Sequence, residues 1–281
     1  MSDKHQYKHD IAVLLPTRGR TVALTRSVMS LVNRVQDLSR IEIFLGFDDD
    51  DEVGIAHWTD NLEPLLQERG VNYTAVSFEP MGYLRLNEYV TELAKQSDSA
   101  WLMFWNDDAV MESQNWDQAI MAYQGQFRCL AVHTHREHPY SIFPIVPRDW
   151  LDLFGYMSPH QLSDAWISQV SYMVDIWERI DVWVEHDRFD LTGNNDDDTY
   201  RNRPQLEGQP NNPEDFHATK WHLKRISDAE KLAIYLKSKG VDTTWWENVK
   251  ANRQNPWEKL EANDVNKQMT QSRSTNVTTN N

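Results

Sequence analysis

Short, continuously apolar runs alternate with segments of helical spacing through the first hundred residues, and each run ends in a polar cluster. "IAVLLP", Ile11 to Pro16, is apolar throughout and closed by proline, as a strand buried on both faces requires. The following "TRGRTVALTRSVMSLVNRV" places apolar side chains at Val22, Leu24, Val28, Leu31, Val32 and Val35, close to helical spacing. "IEIFLGF", "VNYTAVSF" and "AWLMFW" read as further strands. "HWTDNLEPLLQERG", closed by Gly70, and "GYLRLNEYVTELAKQ" read as helices between them. Such alternation builds parallel strands joined by right-handed crossovers, so the fold class expected is α/β, a mostly parallel sheet flanked by helices.

In a sheet of this kind ligands bind beyond the carboxyl ends of the strands, where the strand order reverses. Three clusters fall there: "PTRGR" after the first strand, "DDDDE" after the second and "NDD" after the fourth. They are expected to converge on one crevice. Past Cys129, in the strand-like "FRCLAV", the pattern loosens. "SIFPIV" reads as a strand, "QLSDAWISQVSYMVDIW" as a helix and "IDVWVEHDRF" as a strand. Residues 204–219 are rich in proline and asparagine, a linker or lid, and 220–262 form a helical C-terminal extension. Within it "SDAEKLAIYLKSKG" has Ser227 as N-cap and Gly240 as stop. Residues 263–281 are polar enough to be a disordered tail.

The chain of 281 residues, 40% hydrophobic, can fill a sizeable core. A net charge of -15 argues against a broadly basic nucleic-acid surface without excluding a local basic groove. The single cysteine rules out an internal disulfide and a cysteine-based zinc cluster. No apolar run is long enough to span a membrane, and "MSDKHQYKHD" carries charges where a signal peptide needs an apolar stretch, so a cytoplasmic protein is expected.

The ordered series "LLPTRGR", "GFDDDDE", "GYLRLNEY", "FWNDDAV", "FPIVPRDWLDLFGYMSPHQLSDAW" and "WVEHDRF" resembles GT-A fold inverting glycosyltransferases of the family-two kind, over roughly Ile11 to Arg203. The resemblance implies a catalytic domain over 1–203, with a nucleotide-sugar half over about 1–128 and an acceptor half over about 129–203. It implies donor contacts from Pro16, Thr17, Arg18 and Arg20, an aspartate for the base at Asp48, and an arginine and an asparagine at Arg85 and Asn87. "NDD" resembles the family's metal-binding DxD element, with Asn106 standing where the first aspartate belongs. That departure bears on the ribose contact more than on the metal. Asp107 would then lie by the ribose or sugar, Asp108 and His186 would bind the metal, and Asp164 would be the catalytic base.

The residue types suit that chemistry. A divalent cation bridging two phosphate oxygens neutralises a diphosphate leaving group. Carboxylates suit Mg²⁺ or Mn²⁺, and one imidazole among them favours Mn²⁺. One base and one metal imply a single displacement with inversion through an oxocarbenium-like transition state. Arginines 18, 20 and 85 can fork onto phosphate or ribose oxygens.

Simpler readings stand beside these. An isolated Asp-Asp is ordinarily a solvated turn, and the predicted switch point is what makes this pair a ligand set. A calcium loop starting at Asp48 or Asn194 lacks the glycine needed at its sixth position, where Val53 and Thr199 stand. Asp164 can be a helix-start residue and His186 a strand-end histidine. His133 and His135 share one strand face, with His138 beyond, but lack a fourth zinc ligand and read as a loop near the acceptor pocket.

The donor expected is a nucleotide-sugar, a UDP-sugar first. The acceptor stays open among a carbohydrate, a protein and a hydroxymethylated cytosine in DNA, the last because the chain is similar to DNA-modifying enzymes of large bacteriophages, whose compartment would be the host cytoplasm. For DNA, Arg201, Arg203, Lys220, Lys224 and Arg225 offer a basic strip. Two other readings remain: a nucleotidyltransferase, against which stands the missing glycine-rich loop and lysine after the first strand, and a non-catalytic nucleotide-sugar or glycan-binding module.

Overall fold

A computed structural model describes residues 6–135, 140–188, 193 and 211–251. Strands β1 (His9–Thr17), β2 (Ile41–Asp48), β3 (Asn72–Phe78) and β4 (Ser99–Phe104) are linked by helices α1 (Thr21–Arg34), α2 (Glu52–His57) continuing through a π turn into α3 (Glu63–Glu68), and α4 (Leu86–Gln96). Then come β5 (Ala109–Met111), α5 (Trp116–Met121), β6 (Cys129–Thr134), β7 (Ile145–Pro147), α6 (Asp149–Phe154), α7 (Ser163–Met173), β8 (Trp177–His186), α8 (Thr219–Ser238) and α9 (Thr244–Ala251).

The strands form one eight-stranded sheet in the order β3-β2-β1-β4-β7-β6-β8-β5. The first four are mutually parallel. β7 is antiparallel to both neighbours, and β5 is antiparallel to β8. The α/β class, the mostly parallel sheet and its helical cover are therefore as the sequence implies. The chain leaves β1 toward β2 on one side and returns to β4 on the other, and this reversal fixes where a crevice opens.

Strand residues alternate between two cores. Ile11, Val13, Leu15, Trp101 and Met103 face α1, α3 and α5, whereas Ala12, Leu14, Leu102 and Phe104 face α4, α6, α7 and α8. Continuous apolar runs in the sequence reflect this burial on both faces.

Several local expectations are corrected. Helix α2 begins at Glu52, ahead of His57, because Asp51 caps it by accepting from the Gly54 amide at 3.1 Å. In "SIFPIV" only Ile145 and Val146 join a strand. α7 stops at Met173, and Asp175, at φ 58°, turns the chain into β8. Ser227 lies inside α8, which starts at Thr219 because its first turns carry Trp221 onto Trp166 and Arg225 onto Phe216 and Trp166. Gly240 follows the helix end with φ 80°, as a stop residue should. β5, α5 and α6, three to six residues long, are too short to show a period in the sequence.

Residues 211–219, the described part of the stretch expected as a linker or lid, carry Phe216 into the core at 0% exposure and already open α8 at Thr219. Phe216→Ala should therefore lower unfolding free energy by about 3–5 kcal/mol, measured by denaturant titration; a change under about 1 kcal/mol, typical of surface positions, would show that this segment is not part of the core.

Candidate active site

The polar clusters expected at strand ends meet in one cleft, lined by Pro16, Thr17, Arg18 and Arg20 after β1, Asp48 at the end of β2, and Asn106, Asp107 and Asp108 after β4. His186 from the end of β8 and Asp164 from the first turn of α7 line it too.

Backbone ties fix the "NDD" turn before any ligand is considered. Ser27 of α1 donates to the Asn106 carbonyl at 2.9 Å, and Trp105 Nε1 donates to Ser27 Oγ at 2.8 Å. Asp187 N–H donates to the Asp108 carbonyl at 2.9 Å, and Ala109 pairs with His186 across β5 and β8. That short antiparallel pair brings His186, distant in sequence, to Asp108: Nε2 stands 3.2 Å from Asp108 Oδ1, both side chains buried. Asn106 Nδ2 lies 3.5 Å from the same nitrogen, at the limit of hydrogen bonding.

Two adjacent buried carboxylates need compensation. Thr17 donates to Asp107 Oδ2 at 2.8 Å, while Arg20 Nη1 reaches Asp107 Oδ1 at 2.8 Å and Asp108 Oδ2 at 3.3 Å. Burial pushes the Asp107 carboxyl above the usual carboxylate range, Asp108 adds to the rise, and Arg20 and Thr17 oppose it. The loop that delivers Arg20 turns at Gly19, φ 71°, where a side chain would be strained. Asp51 accepts from the Gly19 amide at 2.8 Å. A Cβ on Gly54 would stand 2.1 Å from that same carboxylate, so the second strand's acidic run serves in part to hold the first strand's loop.

Asp48, 6% exposed, accepts from Arg18 Nη1 at 2.7 Å and from the Tyr89 hydroxyl. Burial and the adjoining carboxylate push the Tyr89 phenol up to about 12, which keeps it a donor. Arg18 also grips exposed Asp50. Nothing in "GYLRLNEY" marks its last residue, Tyr89, as a cleft residue, yet it lines the cleft, as do Gln161, Ser163 and Arg188.

Arg85 is not among the cleft residues. It points outward and pairs with Glu88 one turn on, at 2.5 and 2.7 Å. Asn87 instead donates to the Ser158 carbonyl at 3.1 Å, bracing the loop that leads to α7. His133 stacks on Trp183, ring centroids 4.6 Å apart, and His135 bonds Glu112 at 2.6 Å; neither lines the cleft, and His138 lies outside the described residues, as do Arg201, Arg203 and the run Asp196–Asp198. Arg225, expected on a basic strip, is 1% exposed and donates to the Phe216 carbonyl. Lys220 and Lys224 pair with Glu214 and Asp228.

The donor chemistry fits a divalent cation. An oxygen of Asp108 and a nitrogen of His186 converge, and among the described residues His186 Nδ1 has no hydrogen-bond partner. Among the described residues no group of three or more His, Cys, Asp or Glu is arranged around a metal position. Phosphate oxygens and water would complete the shell, as they ordinarily do for Mg²⁺.

Asp164 Oδ1 accepts from the Ala165 amide at 2.8 Å. The turn ahead of it is set by buried His160, whose Nδ1 accepts from the Leu162 amide at 3.1 Å and whose Nε2–H donates to the Glu214 carbonyl at 3.2 Å. Burial pushes the His160 imidazolium down to about 4. The folded protein thus holds it neutral, while the unfolded chain takes a proton near pH 6.5. Unfolding free energy should fall as pH drops from about 6.5 toward 4, by up to about 3 kcal/mol, and His160→Gln should flatten that slope in denaturant titrations across pH; an unchanged slope would contradict it.

No protein-family model and no curated protein matches the chain. Solved structures match its fold. The mannosyltransferase PcManGT from Pyrobaculum calidifontis in complex with GDP-Man and Mn²⁺ has a TM-score of 0.54 at 10% identity, over 91% of this chain and 85% of that one. S. aureus TarS 1–349 in complex with UDP-GlcNAc has a TM-score of 0.52 at 12% identity, over 81% and 73%. The chain spans 36% of the longer S. aureus TarS structure. At these identities the likeness shows a shared GT-A-like α/β fold. Among the described residues no helix is long and apolar enough to cross a membrane.

Proposed function

We propose that this protein is a metal-dependent, inverting glycosyltransferase that moves a sugar from a nucleotide-sugar, a UDP-sugar first, to a hydroxyl acceptor. The observation that carries the reading is the meeting of Asp107, Asp108 and His186 with Asp48 on one side and Asp164 on the other, in a single cleft at the strand-order reversal. Fold neighbours captured with GDP-Man and Mn²⁺ and with UDP-GlcNAc support the donor class. The working division is a donor half over 1–128 and an acceptor half over 129–203, with 204–219 joining them to the helical extension.

A divalent cation, Mn²⁺ or Mg²⁺, held by Asp108 and His186 would neutralise the departing diphosphate. Asp48, kept by Tyr89 and Arg18 as a buried acceptor, receives N–H donors of the nucleobase. Asp107, with Thr17 on one oxygen, turns its other toward ribose or sugar hydroxyls once Arg20 moves to phosphate. Asp164 takes the acceptor's proton as its oxygen attacks the anomeric carbon opposite the leaving phosphate, which gives inversion.

Nucleotide release from UDP- and GDP-sugars, followed with Mn²⁺ and with chelator, tests this. Release should require metal and fall about 100-fold or more in Asp108→Ala, since a catalytic cation supplies several kcal/mol. Asp164→Asn should lower transfer about 100-fold or more while leaving nucleotide affinity unchanged; full transfer in that variant would take the base role from Asp164, whereas nucleotide binding without any transfer by the native chain would return the protein to a binding role. Absence of both release and saturable UDP or GDP binding would sink the reading.

A hydroxymethylated cytosine in DNA is the acceptor with the sharpest test. Duplex DNA carrying that base should bind with affinity falling steeply as salt rises, whereas binding indifferent to salt would remove DNA and leave a carbohydrate or protein hydroxyl.

A further inference from the structure

Arg20 stands where a cation is needed. Its side chain is 12% exposed and its Nη1 lies between Asp107 Oδ1, at 2.8 Å, and Asp108 Oδ2, at 3.3 Å. The carboxylate that would hold a metal is therefore already neutralised by a resident positive charge. A divalent ion reaching Asp108 from solvent would meet that guanidinium in a poorly screened site, where like charges repel far more strongly than in water. The backbone cannot retreat easily, because the Gly19 amide is pinned by Asp51. The side chain can turn, and an arginine fork accepts phosphate as readily as carboxylate.

We propose that Arg20 is an internal competitor of the divalent cation, neutralising Asp107 and Asp108 in the nucleotide-free protein and passing to the diphosphate when cation and nucleotide bind together. The inference rests on the donor-site reading above. It makes metal and nucleotide binding mutually reinforcing, with one side chain as the coupling element: each ligand raises the affinity of the other by the same factor. Metal alone would bind weakly, and the site would assemble fully only around a donor.

The test is a titration of the full chain with Mn²⁺, free ion read by electron paramagnetic resonance, without nucleotide and with UDP or GDP. In the native chain nucleotide should tighten Mn²⁺ binding by a factor within the range of about 5 to 150 usual for coupled sites. Arg20→Gln should bind Mn²⁺ alone about 10-fold more tightly and lose most of that coupling, and Arg20→Lys, which keeps the charge, should restore weak binding of metal alone. Unchanged or weaker Mn²⁺ binding in Arg20→Gln, with coupling intact, would overturn the proposal and leave the donor site standing. No Mn²⁺ binding by any of the proteins with either nucleotide would overturn the donor-site reading itself, and the competitor with it. Should Arg20→Gln fail to fold, the guanidinium resonance of Arg20 in the ¹⁵N-labelled native chain, assigned by its loss in Arg20→Lys, decides the matter. It must shift when UDP and Mg²⁺ are added together, and a resonance that stays put refutes the transfer.

Discussion

Two neighbouring carboxylates, Asp107 and Asp108, are buried to 5% and 2% exposure at the end of a central strand, and much of the surrounding structure follows from that burial. Ionised groups cannot be taken out of water without partners. Thr17, Arg20 and His186 are those partners, and each comes from a different strand end or loop. The requirement propagates outward. Arg20 needs the turn at Gly19, Gly19 needs the Asp51 carboxylate, and Asp51 needs a residue without a side chain at Gly54. Sequence-distant segments are thus locked into one geometry by the electrostatics of a single dipeptide.

The sheet makes such a dipeptide possible. Strand order 3-2-1-4 leaves a gap between the crossovers that follow β1 and β4, so loops meet there with helices standing away on both faces. The antiparallel β5–β8 pair then closes the far side and delivers His186. Because β7 is antiparallel to β4 and to β6, and β8 is parallel to β6, β8 runs in the direction of β4, and its carboxyl end with His186 opens on the same side as Asp108.

This hierarchy explains what the sequence discloses. Long elements with strong patterning, β1, β2 and β4 with α1 and α4, are legible because both faces of each of these strands and one face of each helix must be apolar, while the edge strand β3 is read from its β-prone composition and its place in the alternation. The clusters "PTRGR", "DDDDE" and "NDD" are legible as a set because their positions at strand ends follow from that alternation. The place of Arg85 in a motif says nothing of its rotamer, and the structure pairs it with Glu88 one turn later. β5 is three residues long, too short for any period, yet it is what positions His186. Arg225 reads as surface charge in sequence but is enclosed by Phe216 and Trp166, aromatic faces that hold a guanidinium well.

The two sides of the cleft are held by different forces. On the side of Thr17, Arg20 and Asp48 the ties are charge-assisted hydrogen bonds among residues at the ends of β1, β2 and β4, and ligands can substitute for them by exchanging one charge for another. On the side of Asp164 the ties are packing: His160 lies edge-on to Phe216 and Trp221, and Trp166 meets both, so the turn before α7 is fixed by the C-terminal segment rather than by the sheet. Electrostatic contacts rearrange at modest cost when a charged ligand arrives, whereas a packed aromatic cluster moves only as a unit. A cleft built this way can reorganise around a charged ligand while keeping Asp164 at a fixed station, and the C-terminal segment with helix α8 becomes the element that sets where that carboxylate stands.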